Sequence, residues 1–358
     1  MKSGENTWGE IVSQPGTWRA ALASFAESEE ALQAWLRDLG ARQIVVVGCG
    51  STYYLAQSAS ACLSRAAGVT AVALPSSELW LYPELGHPRT AALVAISRSG
   101  TTTETLWAVD RFRESGGGPV LAITCYPASA LAGQADMVLG IPAAQEHSIA
   151  QTRSFTSMLL TSQALAARMA RSPSGLAPLQ ALPGALEQLM ERIGDLPAEL
   201  GQDKSIREMV FLGGGALFGL ASEAMLKTME MSQTEARAFH PMEYRHGPMS
   251  LVGRDTLMVG LLSDTGAASE IGVLADLMKL GARTLVVAES ASGLEDLKPD
   301  FLVELRSGLA EWERLPLYLP PLQHLAYQRA ITKGLDPDCP RNLKAVVELT
   351  PQRATGGA

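Results

Sequence analysis

Short apolar runs alternate along this chain with longer stretches of helical periodicity. Ile44-Val-Val-Val-Gly-Cys-Gly50 ends in glycines and leads into an alanine-rich helical pattern through Leu63. Met209-Val-Phe-Leu-Gly-Gly-Gly215 does the same and leads into a helix through Met231. Apolar runs bounded by glycine read as strands buried on both faces, and their alternation with helices predicts parallel sheets. Gly48 and Gly213 lie 165 residues apart, and later elements keep nearly that spacing. Residues 92–96 correspond to 257–261, 120–124 to 284–288, and Asp136-Met-Val-Leu139 to Asp300-Phe-Leu-Val303. The pattern predicts an α/β chain of two similar domains, each a parallel sheet flanked by helices.

The expected boundaries are an N-terminal helical segment over 1–29, a first domain over 30–172, a helical connector over 173–200, a second domain over 201–350 and a tail over 351–358. Within the connector, Ser172-Pro-Ser-Gly175 and Leu182-Pro-Gly184 read as helix breaks, with a helix over 185–193. The N-terminal helices are expected to clasp the first domain or a partner chain.

Composition narrows the class. Of 358 residues, 47% are hydrophobic and 18% charged, as in a well-buried globular protein. A formal charge of -8 with no basic block argues against nucleic acid as a partner. No apolar run reaches the roughly 20 residues of a membrane span. The polar first thirty residues, with Trp8 and Trp18, do not read as a signal peptide, so a cytoplasmic location is expected. Cys49, Cys62, Cys125 and Cys339 are scattered without metal-ligand spacing and are expected to be reduced, buried thiols. No His/Cys/carboxylate array suits a metal, and none is expected.

The most informative stretch is Val94-Ala-Ile-Ser-Arg-Ser-Gly-Thr-Thr-Thr-Glu-Thr105, an apolar strand running into hydroxyls around one glycine and then a helix. A helix start offers unpaired N–H groups and partial positive charge. The hydroxyls of Ser97, Ser99, Thr101 and Thr102 would complete a cup for phosphate. The plainer alternative is a serine-rich N-cap, but a cap needs one hydroxyl and this loop supplies six. In open parallel sheets ligands bind beyond the C-terminal strand ends, where strand order reverses, and Gly48-Cys-Gly-Ser-Thr52 is a second loop of that kind. Its counterparts in the second half are poorer. Gly213-Gly-Gly-Ala216 lacks hydroxyls, and Ser263-Asp-Thr-Gly266 puts an aspartate where phosphate would sit. Gly48-Cys-Gly50 is not read as a dinucleotide fingerprint, because Tyr53 stands where the third glycine belongs. No cofactor is expected.

Glu223, Lys227 and Glu230 share one face of the helix after Gly215. A surface ion-pair ladder would look the same. Apolar neighbours Ala221, Ala224, Met225, Leu226 and Met229 instead imply a largely buried helix, whose charges need a reason. The polar turn Glu243-Tyr-Arg-His-Gly-Pro248 follows and makes His246 a candidate acid–base group, with His240 and His147 as runners-up.

With Gly48-Cys-Gly-Ser-Thr-Tyr53, Ser97-Arg-Ser-Gly-Thr-Thr102, Glu146-His-Ser-Ile-Ala-Gln-Thr-Arg153, Glu223-Ala-Met-Leu-Lys-Thr-Met-Glu230, Arg245-His-Gly-Pro248 and Pro340-Arg-Asn-Leu343, the chain from about 30 to 350 resembles the SIS (sugar isomerase) family, specifically the isomerase half of the glucosamine-fructose-6-phosphate aminotransferases. The resemblance implies tandem SIS domains and a hexose or amino-sugar phosphate ligand. It places the ligand among Gly50, Ser51, Thr52, Ser97, Arg98, Ser99, Thr102, Ile149 and Glu223. It also makes Glu230 the base between C1 and C2, Lys227 its neighbour, and His246 a ring-opening histidine supplied by the other subunit of a homodimer.

Three departures bear on function. The glutaminase domain with its N-terminal cysteine nucleophile is not in this sequence, so complete aminotransferase synthesis is not expected of this chain alone. Arg98 replaces the glutamine usual in the phosphate loop, and a guanidinium can pair with phosphate. The Schiff-base lysine of the resemblance falls one residue later than Lys344, so in an extended tail Lys344 would face the opposite side. Either the tail bulges and Lys344 reaches the sugar, or an imine step is lost. The expected function is a phosphosugar isomerase or deaminase acting on an amino-sugar or fructosamine 6-phosphate. The alternatives are a sugar-phosphate sensor and a glutaminase-less partner in glucosamine-6-phosphate synthesis.

Overall fold

Strands form where apolar residues have neighbours on both faces, and the glycine-bounded runs all do so. The computed structural model describes residues 3–40, 43–82, 91–172, 174–347 and 349. It opens with helices α1 (Glu5–Val12), α2 (Gln14–Glu27) and α3 (Glu29–Leu39). The first sheet holds β1 (Ile44–Gly48), β2 (Ala71–Pro75), β3 (Ala92–Ile96), β4 (Val120–Thr124) and β5 (Met137–Gly140). Its helices are α4 (Ser51–Ala67), α5 (Ser76–Leu81), α6 (Thr103–Glu114), α7 (Ala130–Gln134) and α8 (Arg153–Met169). Helices α9 (Ala177–Ile193) and α10 (Leu196–Gln202) lead to the second sheet. That sheet holds β6 (Glu208–Gly213), β7 (Glu235–Phe239), β8 (Thr256–Leu261), β9 (Arg283–Ala288) and β10 (Phe301–Glu304). With it go α11 (Leu217–Ser232), α12 (Pro241–Tyr244), α13 (Ala267–Lys279), α14 (Glu311–Arg314) and α15 (Leu319–Thr332).

Every strand pair is parallel, and the orders β2-β1-β3-β4-β5 and β7-β6-β8-β9-β10 are the same winding twice. Order reverses between β1 and β3, so the loops after these two strands flank the crevice where ligands enter such sheets. The repeat extends to single side chains. Asp136 Oδ2 accepts from the Val120 N–H at 2.7 Å, and Asp300 Oδ2 accepts from the Thr284 N–H at 2.8 Å. Each aspartate thus satisfies an N–H where β4 or β9 begins, a group that would otherwise lack a partner.

Three features depart from the periodicity. Strand β7 carries no clear apolar run, because it is a sheet edge with partly exposed positions such as Arg237, and β2, the edge of the other sheet, is apolar throughout yet leaves Val72 exposed. Helix α9 starts at Ala177 and continues through Pro183 without the expected break. Buried Leu179, Leu182, Leu186 and Leu189 on one stripe offset the roughly 3 kcal/mol cost of an interior proline. Cysteines are not uniformly buried either. Cys62 and Cys125 are, burial pushing the Cys62 thiol up to about 12, while Cys339 is exposed, being on a turn near the chain end.

The N-terminal helices are part of the main core. Trp18 is fully buried and donates from Nε1 to Thr156 Oγ1 at 2.9 Å. Helix α2 packs on α8 and α9, and α1 on α15, so the segment touches both halves of the chain. One apolar cluster runs from Trp18 through both sheets to Leu325. Among the described residues no helix is long and apolar enough to cross a membrane.

At the seam between the sheets, α4 lies against α11. A Cβ on Gly219 would stand 2.3 Å from the Tyr54 carbonyl oxygen and 2.4 Å from Ser58 Oγ, so only glycine permits this approach. Ser58 Oγ donates to the Ala216 carbonyl at 2.7 Å and ties the middle of α4 to the start of α11. This crossing brings the charged face of α11 to the crevice of the first sheet.

Candidate active site

The loop after β1 is closed by Thr52, whose Oγ1 accepts from the Cys49 N–H at 2.9 Å and donates to the Cys49 carbonyl at 3.0 Å. In the loop after β3, Ser97 Oγ accepts from the Gly100 N–H at 3.1 Å and lies 3.3 Å from Thr102 Oγ1. Ser99 Oγ accepts from both the N–H and the Oγ1 of Thr101, at 3.2 and 3.1 Å, which leaves its own proton for another acceptor. Gly100 has φ 66°, and a Cβ there would stand 1.9 Å from Ser129 Oγ. With the N-terminal ends of α4 and α6, these turns form one wall of a cavity of about 290 Å³. That size suits one small polar ligand.

Helix α11 forms the opposite wall. Lys227 is 1% exposed and donates from Nζ to Ser51 Oγ at 3.1 Å. It pairs with Glu230 in a short contact and with Glu223 Oε1 at 3.4 Å. Ser51 Oγ in turn donates to Glu223 Oε1 at 3.2 Å. Glu223 is fully buried, and burial pushes its carboxyl up to about 8 against the pull of Lys227. Its Oε2 has no hydrogen-bond partner, as a largely neutral acid tolerates better than an anion. Burial opposes the charge on Lys227, yet Glu223 and then Glu230 hold it above the ordinary lysine range. At neutral pH the ammonium therefore serves Glu230, whose side chain is 17% exposed and reaches the cavity.

The segment after β5 builds a third side. Glu146 Oε1 accepts from the Thr152 N–H at 2.7 Å, Thr152 Oγ1 at 2.9 Å and the Ser154 N–H at 3.1 Å. Glu10, reaching from α1, accepts from the His147 N–H at 2.6 Å and from the Ser148 N–H and hydroxyl. Helix α1 is itself held at its start by Asp338, which accepts from the N–H groups of Asn6 and Thr7. The first and last parts of the chain thus fix the segment that carries Ile149.

The second sheet shows why its equivalent loop is not a second such site. The turn recurs, with Ser263 Oγ accepting from the Gly266 N–H at 2.8 Å. Glu270, however, folds back and accepts from the Ser263 N–H at 2.8 Å and Ser263 Oγ at 2.9 Å. A carboxylate of the chain takes the donors an anionic ligand would need. Asp264, the residue expected to repel phosphate there, instead pairs with Arg314, with Nη1 at 3.0 Å.

Of the candidates, Gly50, Ser51, Thr52, Ser97, Arg98, Ser99, Thr102, Ile149, Lys227, Glu230 and Lys344 line this one cavity. Glu223 sits behind it, joined through Ser51 and Lys227. His246 is exposed and lies outside the cavity of its own chain. His147 is also exposed, and His240 stacks on Phe218 with ring centroids 3.8 Å apart. Lys344 reaches the lining because the tail is not extended: Asn342, at φ 65°, turns the chain before it. The guanidinium of Arg98, read as a phosphate partner, donates to Glu146 and to main-chain carbonyls. The sequence did not single out Cys49, Glu104 and Gln151, which also line the cavity, or Glu10, whose polar character alone would not mark it. Among the described residues no group of three or more His, Cys, Asp or Glu could hold a metal ion.

The model of the SIS domain family matches residues 39–168. A glutamine–fructose-6-phosphate aminotransferase (isomerizing) from Pyrobaculum aerophilum is 30% identical over 349 residues, which cover 95% of this chain and 57% of that protein. The chain spans about half the length of the curated relatives it matches. Among solved structures, the glucosamine-6-phosphate deaminase of Thermotoga maritima aligns with a TM-score of 0.73 at 28% identity, covering 93% of this chain and 99% of that one. The tagatose-6-phosphate ketose/aldose isomerase of Escherichia coli aligns with a TM-score of 0.87 at 24% identity, covering 98% of both chains, a likeness of fold. Residues 39–168 thus form a domain of the SIS (sugar isomerase) family, and with the same sheet winding used again in the second half the chain has the fold of two tandem α/β domains of that kind.

Proposed function

We propose that this chain is an enzyme that isomerises an amino-sugar 6-phosphate and releases its amine. The observation that carries the reading is one cavity that joins the hydroxyl-rich turns of the first domain to the Lys227–Glu230 pair of the second, with Lys344 on the rim. The phosphate is assigned to Ser97, Ser99, Thr102 and the α6 N-terminus, whose donors and dipole favour an anion. Glu230 takes the C2 proton of the open-chain sugar and returns it to C1. The product carries an imine at C2, and one water hydrolyses it to a ketose phosphate and ammonia. Lys227 holds Glu230 in place. Lys344 stabilises the oxygen at C1 as charge develops, or condenses with the carbonyl to an imine with loss of water. The solved deaminase matched along nearly its whole chain supports this class of substrate.

Ammonia release from glucosamine-6-phosphate, followed beside the isomerisation of fructose-6-phosphate, tests the reading. Binding of both sugars without turnover of either would replace it with a sugar-phosphate sensor. Ser97→Ala with Thr102→Ala is expected to weaken phosphosugar binding at least about tenfold, since a hydrogen bond to a charged group contributes about 1.5–3 kcal/mol. Unchanged affinity in calorimetry would move the phosphate elsewhere.

His246 is assigned to the neighbouring subunit's cavity in a homodimer. Met242 and Leu251, on the same turn region, are 46% and 59% exposed and suit such an interface. Glu230→Gln and His246→Ala chains, each inactive alone, are expected to regain about a quarter of wild-type activity when co-expressed. Half of the dimers are then mixed, and each mixed dimer has one intact site. No recovery would place the ring-opening group within one chain.

A further inference from the structure

Arg98 lies inside the turn assigned to the phosphate, yet it is only 8% exposed and its donors are shared between two other segments. Nη1 stands 3.3 Å from Glu146 Oε2, 3.3 Å from the Ser148 carbonyl and 3.0 Å from the Ile149 carbonyl. Nη2 donates to the carbonyl of Ala345 at 3.2 Å. Ala345 directly follows Lys344. Two further ties run beside it, from the Thr103 N–H to the Val347 carbonyl at 3.5 Å and from the Leu349 N–H to Thr103 Oγ1 at 3.1 Å. Among the described residues, the hydrogen bonds of 344–349 all run to 98–103. No strand pairing holds this tail, and the left-handed turn at Asn342 precedes it.

We infer that Arg98 is a positioning residue, which grips the main chain beside Lys344 and so ties the placement of that amine to the turn that receives the phosphate. The inference rests on the reading of Lys344 given above. A planar guanidinium suits the task, because one nitrogen serves the 146–149 segment while the other serves the tail. A lysine presents one point charge and a glutamine is too short to span both. Removing Arg98 leaves Glu146 with its bonds to Thr152 and Ser154, so the 146–154 segment keeps its anchor.

Full-length Arg98→Gln and Arg98→Lys test this by three readouts. These are amide exchange in the peptide over 343–349, calorimetric affinity for inorganic phosphate, and borohydride-trapped adduct of fructose-6-phosphate on Lys344 by peptide mass. Tail exchange is expected to quicken about tenfold in both variants, with adduct formation down about tenfold and phosphate affinity within about threefold. Arg98→Lys keeps a cation beside Glu146, so it carries the comparison if the glutamine variant does not fold. Unchanged tail exchange with phosphate affinity lowered about tenfold would overturn the inference and make Arg98 a phosphate ligand. If the wild type gives no adduct, the imine reading of Lys344 fails. Exchange alone then decides: a faster tail upholds the grip, and an unchanged one overturns it.

Discussion

Glu230→Gln is expected to lower turnover about a thousandfold while phosphosugar affinity stays within a few-fold. A positioned general base contributes roughly 10²–10⁴ in rate, and glutamine cannot take a proton from carbon. The substitution is nearly isosteric, and its carbonyl oxygen still accepts from the Lys227 ammonium, so the wall of the cavity is preserved. The direct measurement is solvent-deuterium incorporation at C1 of fructose-6-phosphate by NMR, with binding read by calorimetry. A loss of less than about tenfold would remove Glu230 from the proton transfer.

Lys227→Met is expected to cost on the order of 3–5 kcal/mol of stability at pH 8 to 9, because it strips the cation from a buried pair. The pH dependence follows from Glu223. Its folded-state carboxyl is raised from the model-peptide 4.5 to about 8 by burial, so the fold prefers the protonated acid. That stability is fully present below about 4.5 and is lost as pH rises towards 8. Without Lys227 the carboxyl rises further, and the loss continues above pH 8. Melting curves between pH 5 and 9 should therefore diverge, with Lys227→Met falling steepest and Glu223→Gln flattest. Other raised carboxyls, such as Glu10 and Glu270, are common to all three proteins and drop out of the differences. Parallel curves would mean that Glu223 does not titrate in this range.

The local chemistry of the site was legible where a single turn carries it. The Ser97–Thr102 hydroxyls, the glycine-bounded strand ends and the Glu223, Lys227 and Glu230 spacing are all read within one helix or loop. The catalytic role proposed for Glu230 came from resemblance, and spacing alone could not tell a buried charged face from a surface ladder. The partners of Arg98 were not legible. Its acceptors lie about fifty and nearly 250 residues later in the chain, and no periodicity links them. The placement of Lys344 stayed open between two alternatives for a related reason, since alternation predicts side-chain direction only in an extended chain, and Asn342 is not extended.

The amino-acid pattern by itself determined the alternation of strands and helices and the two parallel sheets, and it marked the loop proposed to receive an anion. These follow from side-chain periodicity and hydrogen-bonding groups a few positions apart, which the backbone settles locally. Only the tertiary structure decided that Gly219 lets α11 reach α4, that Glu270 fills the second cup, and that Lys344 and Glu230 line one cavity. Such facts depend on how packed elements meet across a shared core, and distance along the chain carries no record of that meeting.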